Sequence, residues 1–231
     1  MKTFTTFLSA ASAALMLTAM TAAAADSTRS SVDWEGRYTG LVPCASCPGI
    51  DMALTINEAG FYTLAETYRE EKDGSFASDG TFTWDAAGER ITLNGKDENR
   101  VFKIGEGAAW MVGADGQMDE SHPLTKLVEY NGAGQQLYVD PSSIEEKDGL
   151  LSFSGLMNFE HPVEGGHRSL SADFVLNCAT KQADMPSVSY FSDLDAGGEK
   201  LAEAPSNAGN WTPIPQGEDD VLAQMADARC P

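Results

Sequence analysis

The chain has 231 residues, 42% of them hydrophobic, with 35 Asp and Glu against 15 Lys and Arg and a formal net charge of −20. The hydrophobic share excludes a disordered chain, and the acidic excess opposes binding to nucleic acid or anionic lipid headgroups. The charge reads first as solubility, and the length suits one large or two small domains.

Lys2, the apolar run from Phe4 to Met20 and the small residues Ala23, Ala24 and Ala25 predict a secretory signal peptide over 1–25, cleaved after Ala25. The run is too short and too alanine-rich to span a bilayer. No cysteine precedes Cys44, so the mature chain is expected to be unlipidated, free of a membrane anchor and soluble in a bacterial periplasm. Residues 26–33 are small and polar and read as a disordered lead-in.

From Trp34 onward the pattern is one of short strands. Met52, Leu54 and Ile56 alternate with Ala53, Thr55 and Asn57, and Tyr62, Leu64, Glu66 and Tyr68 alternate with Phe61, Thr63, Ala65 and Thr67. Asn57–Gly60 between them predicts a hairpin, with Gly60 free to take positive φ. A second hairpin pairs Thr81–Trp84 with Arg90–Leu93 across Asp85–Gly88. Val101–Ile104 and Trp110–Val112 add two strands, so residues 34–130 read as a small antiparallel barrel or sandwich. Asn131-Gly132-Ala133-Gly134 is taken as the domain boundary.

A second domain is expected over 135–231. Leu137–Val139, Leu150–Phe153, Ser169–Leu176 and Ser187–Phe191 are strand-like, and a Gly-, Ala- and Pro-rich loop is expected over 196–215. A helix follows, with Glu218, Asp219 and Asp220 in its first turn, an apolar face of Val221, Leu222 and Met225, and Arg229 near its end.

The chemistry centres on Pro43-Cys44-Ala45-Ser46-Cys47-Pro48-Gly49. In an oxidising compartment four cysteines read as two disulfides. Three connectivities are open, and Cys44–Cys47 with Cys178–Cys230 keeps each bond within one proposed domain. Reduced, the Cys44 and Cys47 thiolates form a candidate site for Cu(I). Met52 is a conceivable third soft ligand, although its place on an alternating strand reads as core. Thioredoxin-like redox catalysis is disfavoured, because a strand rather than a helix N-terminus follows the motif. The histidines His122, His161 and His167 read as exposed loop residues. Asp193-Leu194-Asp195 before Gly197-Gly198 weakly resembles a calcium loop without its closing glutamate. No nucleophile elbow, phosphate loop or dinucleotide fingerprint is present, so no enzyme is expected and no cofactor beyond copper.

Trp34-Glu35-Gly36-Arg37-Tyr38-Thr39-Gly40-Leu41-Val42-Pro43-Cys44-Ala45-Ser46-Cys47-Pro48-Gly49-Ile50, then Leu54-Thr55-Ile56, Tyr62-Thr63-Leu64, Phe76, Gly80 and Trp84, resemble the N-terminal domain of the NlpE family, named for copper resistance. The resemblance implies a lipocalin-like β-barrel at the cell envelope, with roles in copper handling and envelope-stress signalling. Its best-known members are anchored through an N-terminal cysteine, which this chain lacks. Tyr138–Ile144, Cys178, Tyr190–Asp193, Trp211–Pro215 and Cys230 resemble the surface-adhesin protein E-like domain. That resemblance implies an antiparallel sheet packed with a C-terminal helix and tied by Cys178–Cys230.

The fold expected is therefore mainly β, a lipocalin-like barrel followed by an antiparallel sheet with a C-terminal helix. The function expected is a non-enzymatic periplasmic binding or sensing module, linked to copper or envelope stress, whose partner is an envelope sensor protein or a small ligand. The alternatives are a carrier of a small apolar ligand in the barrel, lined by Tyr62, Phe82, Trp84 and Phe102, and a thiol–disulfide redox protein.

Overall fold

A computed structural model describes residues 27–95, 99–204 and 209–230. The expected signal peptide and its cleavage site lie outside the described residues.

Eight antiparallel strands close a barrel in chain order: β1 (Gly36–Val42), β2 (Ile50–Ile56), β3 (Phe61–Tyr68), β4 (Ser75–Trp84), β5 (Arg90–Asn94), β6 (Val101–Gly105), β7 (Ala108–Val112) and β8 (Leu124–Lys126). The predicted alternation sets the register. Tyr38 pairs Leu54, Leu54 pairs Leu64, and Ile56 pairs Tyr62, so the apolar set of each strand faces inward. Closure falls to three-residue β8, which pairs β1 through Tyr38–Lys126 and Thr39–Thr125. Gly40 permits this approach, because a Cβ there would lie 2.6 Å from the Pro123 carbonyl oxygen. An eight-stranded barrel is just wide enough for side chains to fill. Leu54, Leu64, Ile91, Leu93, Phe102 and Leu124 fill this one, each no more than 1% exposed.

The lead-in is not disordered throughout. Thr28–Ser31 form a helical turn, α1. The Arg29 amide donates to the Gly88 carbonyl at 3.0 Å, and Trp34 Nε1 donates to the Arg29 carbonyl. Trp34 packs edge-on against Phe82 and Trp84, so the segment is tied to one end of the barrel.

The second sheet runs in the order β15 (Lys200–Ala204), β14 (Gln182–Phe191), β13 (Ser169–Asn177), β12 (Leu150–Phe159), β10 (Gln135–Val139), β9 (Val128–Gly132), while β11 (Glu145–Lys147) joins β12 and β16 (Thr212–Pro213) joins β14. In this order residues 131–134 lie within the second sheet. Asn131 and Gly132 end β9, paired with Gln136 and Gln135, Ala133 and Gly134 make the β9–β10 turn, and the barrel gives way to the sheet at Leu127, between β8 and β9. Gly-rich turns mark hairpins and boundaries alike, so the motif alone could not separate the two. The loop expected over 196–215 contains β15 and β16; every residue of β15 is exposed, so no hydrophobic period announces it. β14 also begins earlier than predicted, passing Pro186 by a bulge opposite Phe174, because proline has no amide for the ladder.

Helix α2 (Val221–Arg229) lies on the sheet and buries Val221, Ala223, Met225 and Ala226. The acidic run sits one step earlier than predicted. Asp220 is the N-cap, accepting from the Leu222 and Ala223 amides at 3.0 and 2.9 Å, and Glu218 and Asp219 precede the helix. Phe153 and Phe174 stack at 5.1 Å in the core beneath.

Candidate functional site

The CxxC loop occupies residues 43–49, between β1 and β2 at one mouth of the barrel. Cys44 and Cys47 are joined as a disulfide with their Cα atoms 5.2 Å apart. Gly49 ends the loop at φ +153, and a Cβ there would lie 2.6 Å from Leu41 Cδ1. Its carbonyl accepts from the Arg69 amide at 3.0 Å. Arg69 then grips Asp51 at the start of β2 with two hydrogen bonds, Nε to Oδ2 at 2.8 Å and Nη2 to Oδ1 at 2.7 Å. The paired carboxylate raises the Arg69 pKa further. Both side chains are half in water, so this pair contributes orientation more than stability.

Two apolar side chains are exposed on the rim beside the loop. Leu41 is 38% exposed and Phe76 59% exposed, with Phe76 edge-on to Tyr68 at 5.6 Å. Phe76 pairs Glu66 across β3 and β4, which places it on the inward side of β4 at the open end. Glu66, only 7% exposed, forms an ion pair with Arg100 there. Sequence reading missed the rim. A lone phenylalanine in the polar run Ser75–Gly80 was its only signal.

Met52 is 2% exposed among the barrel core residues, a packing residue. Cys44 and Cys47 are bonded to one another, and among the described residues no three His, Cys, Asp or Glu side chains converge on a metal-sized space. The oxidised site therefore does not fit a resident copper ion. Ile50 begins a strand two residues after Pro48, so the helix N-terminus that activates a thioredoxin-like thiol is replaced by extended chain. Tyr62, Phe82 and Phe102 are 2%, 7% and 0% exposed within the packed interior.

The histidines do not come together. His122 Nδ1 is 2.7 Å from Asp119 Oδ2 in the exposed loop between β7 and β8. Hydrogen bonds from Ser121, and then from His122, lower the Asp119 pKa to about 2. His161 is exposed. His167 departs from the expected exposed loop position: it is half-buried against Phe159 and Tyr190, at 5.6 and 4.6 Å between ring centroids. Asp195 of the calcium-like run instead meets Arg37, at 2.9 Å. Cys178 and Cys230 form the second disulfide, joining the end of β13 to the end of α2.

Residues 38–122 match the family model of the NlpE N-terminal domain, and residues 124–231 match that of surface-adhesin protein E. Lipoprotein NlpE of Escherichia coli (strain K12) is 31% identical over 87 residues, covering 36% of this chain and 36% of that protein. The chain thus spans little more than a third of that curated relative. A solved putative lipoprotein from Shewanella oneidensis is 32% identical, covering 44% of this chain and 95% of that one, with a TM-score of 0.40. The Cpx pathway activator NlpE from Escherichia coli is 18% identical, covering 71% and 99%, with a TM-score of 0.32. Haemophilus influenzae protein E is 16% identical, covering 44% and 88%, with a TM-score of 0.30. The chain thus joins two domain types in series, residues 38–122 matching the NlpE N-terminal domain family and residues 124–231 the surface-adhesin protein E family.

Proposed function

We propose that this protein is a non-enzymatic module of the bacterial envelope that signals by presenting the CxxC rim of its barrel to an envelope sensor protein. The observation that carries this reading is the rim itself. Leu41 lies against a disulfide-closed loop held by Gly49 and by the Arg69–Asp51 pair, and Phe76 stands exposed on β4 beside Tyr68 at the same end of the barrel. Exposed apolar side chains on a rigid support are what a protein partner uses as anchors. The NlpE N-terminal domain model matches residues 38–122, which carry this loop, and the Escherichia coli protein of that name is described as an activator of the Cpx pathway. The packed interior favours a scaffold over a carrier, and the strand after Pro48 favours a structural bond over a thiol catalyst.

The test is to produce the chain, with its leader, in an Escherichia coli strain lacking its own NlpE and carrying a Cpx-dependent reporter. The reporter rises with the parent chain and falls back with Leu41→Ser plus Phe76→Ser at equal protein level. An unchanged response in the double variant refutes the rim as the signalling surface. Copper belongs to this loop only when the two thiols are reduced, because Cu(I) needs thiolates. Parallel titration of oxidised and reduced protein reads this directly. Equal binding by the Cys44→Ser, Cys47→Ser variant removes copper from the account.

A further inference from the structure

Arg37 is a buried cation that the rim does not use. It lies on the outward side of β1, 7% exposed. Its carbonyl accepts from the amide of Leu127, the residue between β8 and β9, at 2.8 Å. Its guanidinium reaches the other domain. Nη1 is 2.9 Å from Asp195 Oδ1, and the group lies over the Tyr138 ring, 5.3 Å from the centroid. Nε has no hydrogen-bond partner among the described residues. Asp195 is the carboxylate paired with this charge, and removing it takes away the ion pair that joins the two domains here.

The receiving turn, between β14 and β15, is held in one shape. The Asp195 amide donates to Asn158 Oδ1 at 2.9 Å, and Asn158 Nδ2 donates back to Asp195 Oδ1 at 2.8 Å. Ser169 Oγ, fully buried, donates to the Asp193 carbonyl and accepts from the Ala196 amide. Asp195 and Ala196 have φ of 64° and 57°, the left-handed region that non-glycine residues enter at a cost. Asn158 and Ser169, on β12 and β13, over-determine that conformation and aim the carboxylate at the barrel.

We infer that Arg37 and Asp195 form a latch that fixes the second domain against the barrel, with Leu127 as the hinge that is freed when the pair is broken. Because β1 carries Arg37 near its start and runs into the CxxC loop, the latch makes the rim and the second domain parts of one body. The inference concerns domain geometry alone and does not depend on what the rim binds.

Lys126 precedes the hinge, so trypsin cleavage of the Lys126–Leu127 bond reports its opening. The full mature chain is compared as parent, Asp195→Asn and Arg37→Gln, with Glu146→Gln as a control on an exposed acid of the second domain. Cleavage that tracks the open population rises about tenfold or more in Asp195→Asn, and small-angle scattering gives a larger radius of gyration. The Glu146→Gln control matches the parent. Parental cleavage and scattering in Asp195→Asn overturn the latch. Equal acceleration in Glu146→Gln overturns it as well, since net charge would then be the cause. Should Arg37→Gln fail to fold, Asp195→Asn still decides, because it alters only a side chain that is 42% exposed.

Discussion

The two disulfides have very different leverage on stability, and the difference can be worked from the chain they enclose. Cys178 and Cys230 are 52 residues apart, Cys44 and Cys47 three. In the loop-closure model the first removes about 4 kcal/mol of denatured-state freedom and the second about 1.6 kcal/mol. The longer loop contains β14, β15, β16 and α2, so its bond also keeps the helix on the sheet. With a urea slope of about 2 kcal/mol per molar, Cys178→Ser plus Cys230→Ser lowers the midpoint of the second domain by about 2 M, and Cys44→Ser plus Cys47→Ser lowers that of the barrel by less than about 1 M. Hydrogen exchange followed by peptide mass spectrometry across a urea series reads the two domains separately. Equal shifts, or a larger shift from the Cys44–Cys47 pair, would show that chain entropy is not the governing quantity.

Two further outcomes follow from local geometry. Asp220→Ala removes the acceptor for the Leu222 and Ala223 amides and should cost about 1 kcal/mol in thermal unfolding, with Asp220→Asn nearly silent; equal losses in the two variants would discount the cap. The Asp119 pKa, lowered to about 2, gives a contribution to loop order that is present above the ordinary carboxylate range and lost as pH falls through about 2. Carboxyl NMR titration should show a larger rise for Ser121→Ala than for His122→Ala, and the reverse order would place the cause in the imidazole.

The alternation of Met52, Leu54 and Ile56 against Tyr62, Leu64 and Glu66 was legible because each side chain's burial is recorded in its own identity, with a period of two. The same logic found the β4–β5 hairpin and the apolar stretch of α2. It missed the first half of β4, where Ser75, Ala77, Ser78 and Asp79 carry no apolar stripe, and it missed β8, which is too short to show a period. The CxxC loop announced its chemistry through residue type, while the exposed rim beside it appeared only once β3 and β4 were laid against each other.

By itself the sequence determined the β class of the chain, the inward face of most barrel strands, the helix at the C-terminal end and the reading of the four cysteines as two disulfides. These are properties of neighbours along the chain, where period and residue type report burial directly. Only the tertiary structure decided that the barrel closes through Leu124–Lys126, that Leu127 separates the barrel strands from the second sheet, and that Arg37 meets Asp195. Those outcomes depend on which surfaces come together across long stretches of chain, and neither an arginine on a strand nor an aspartate in a turn carries any local mark of its partner.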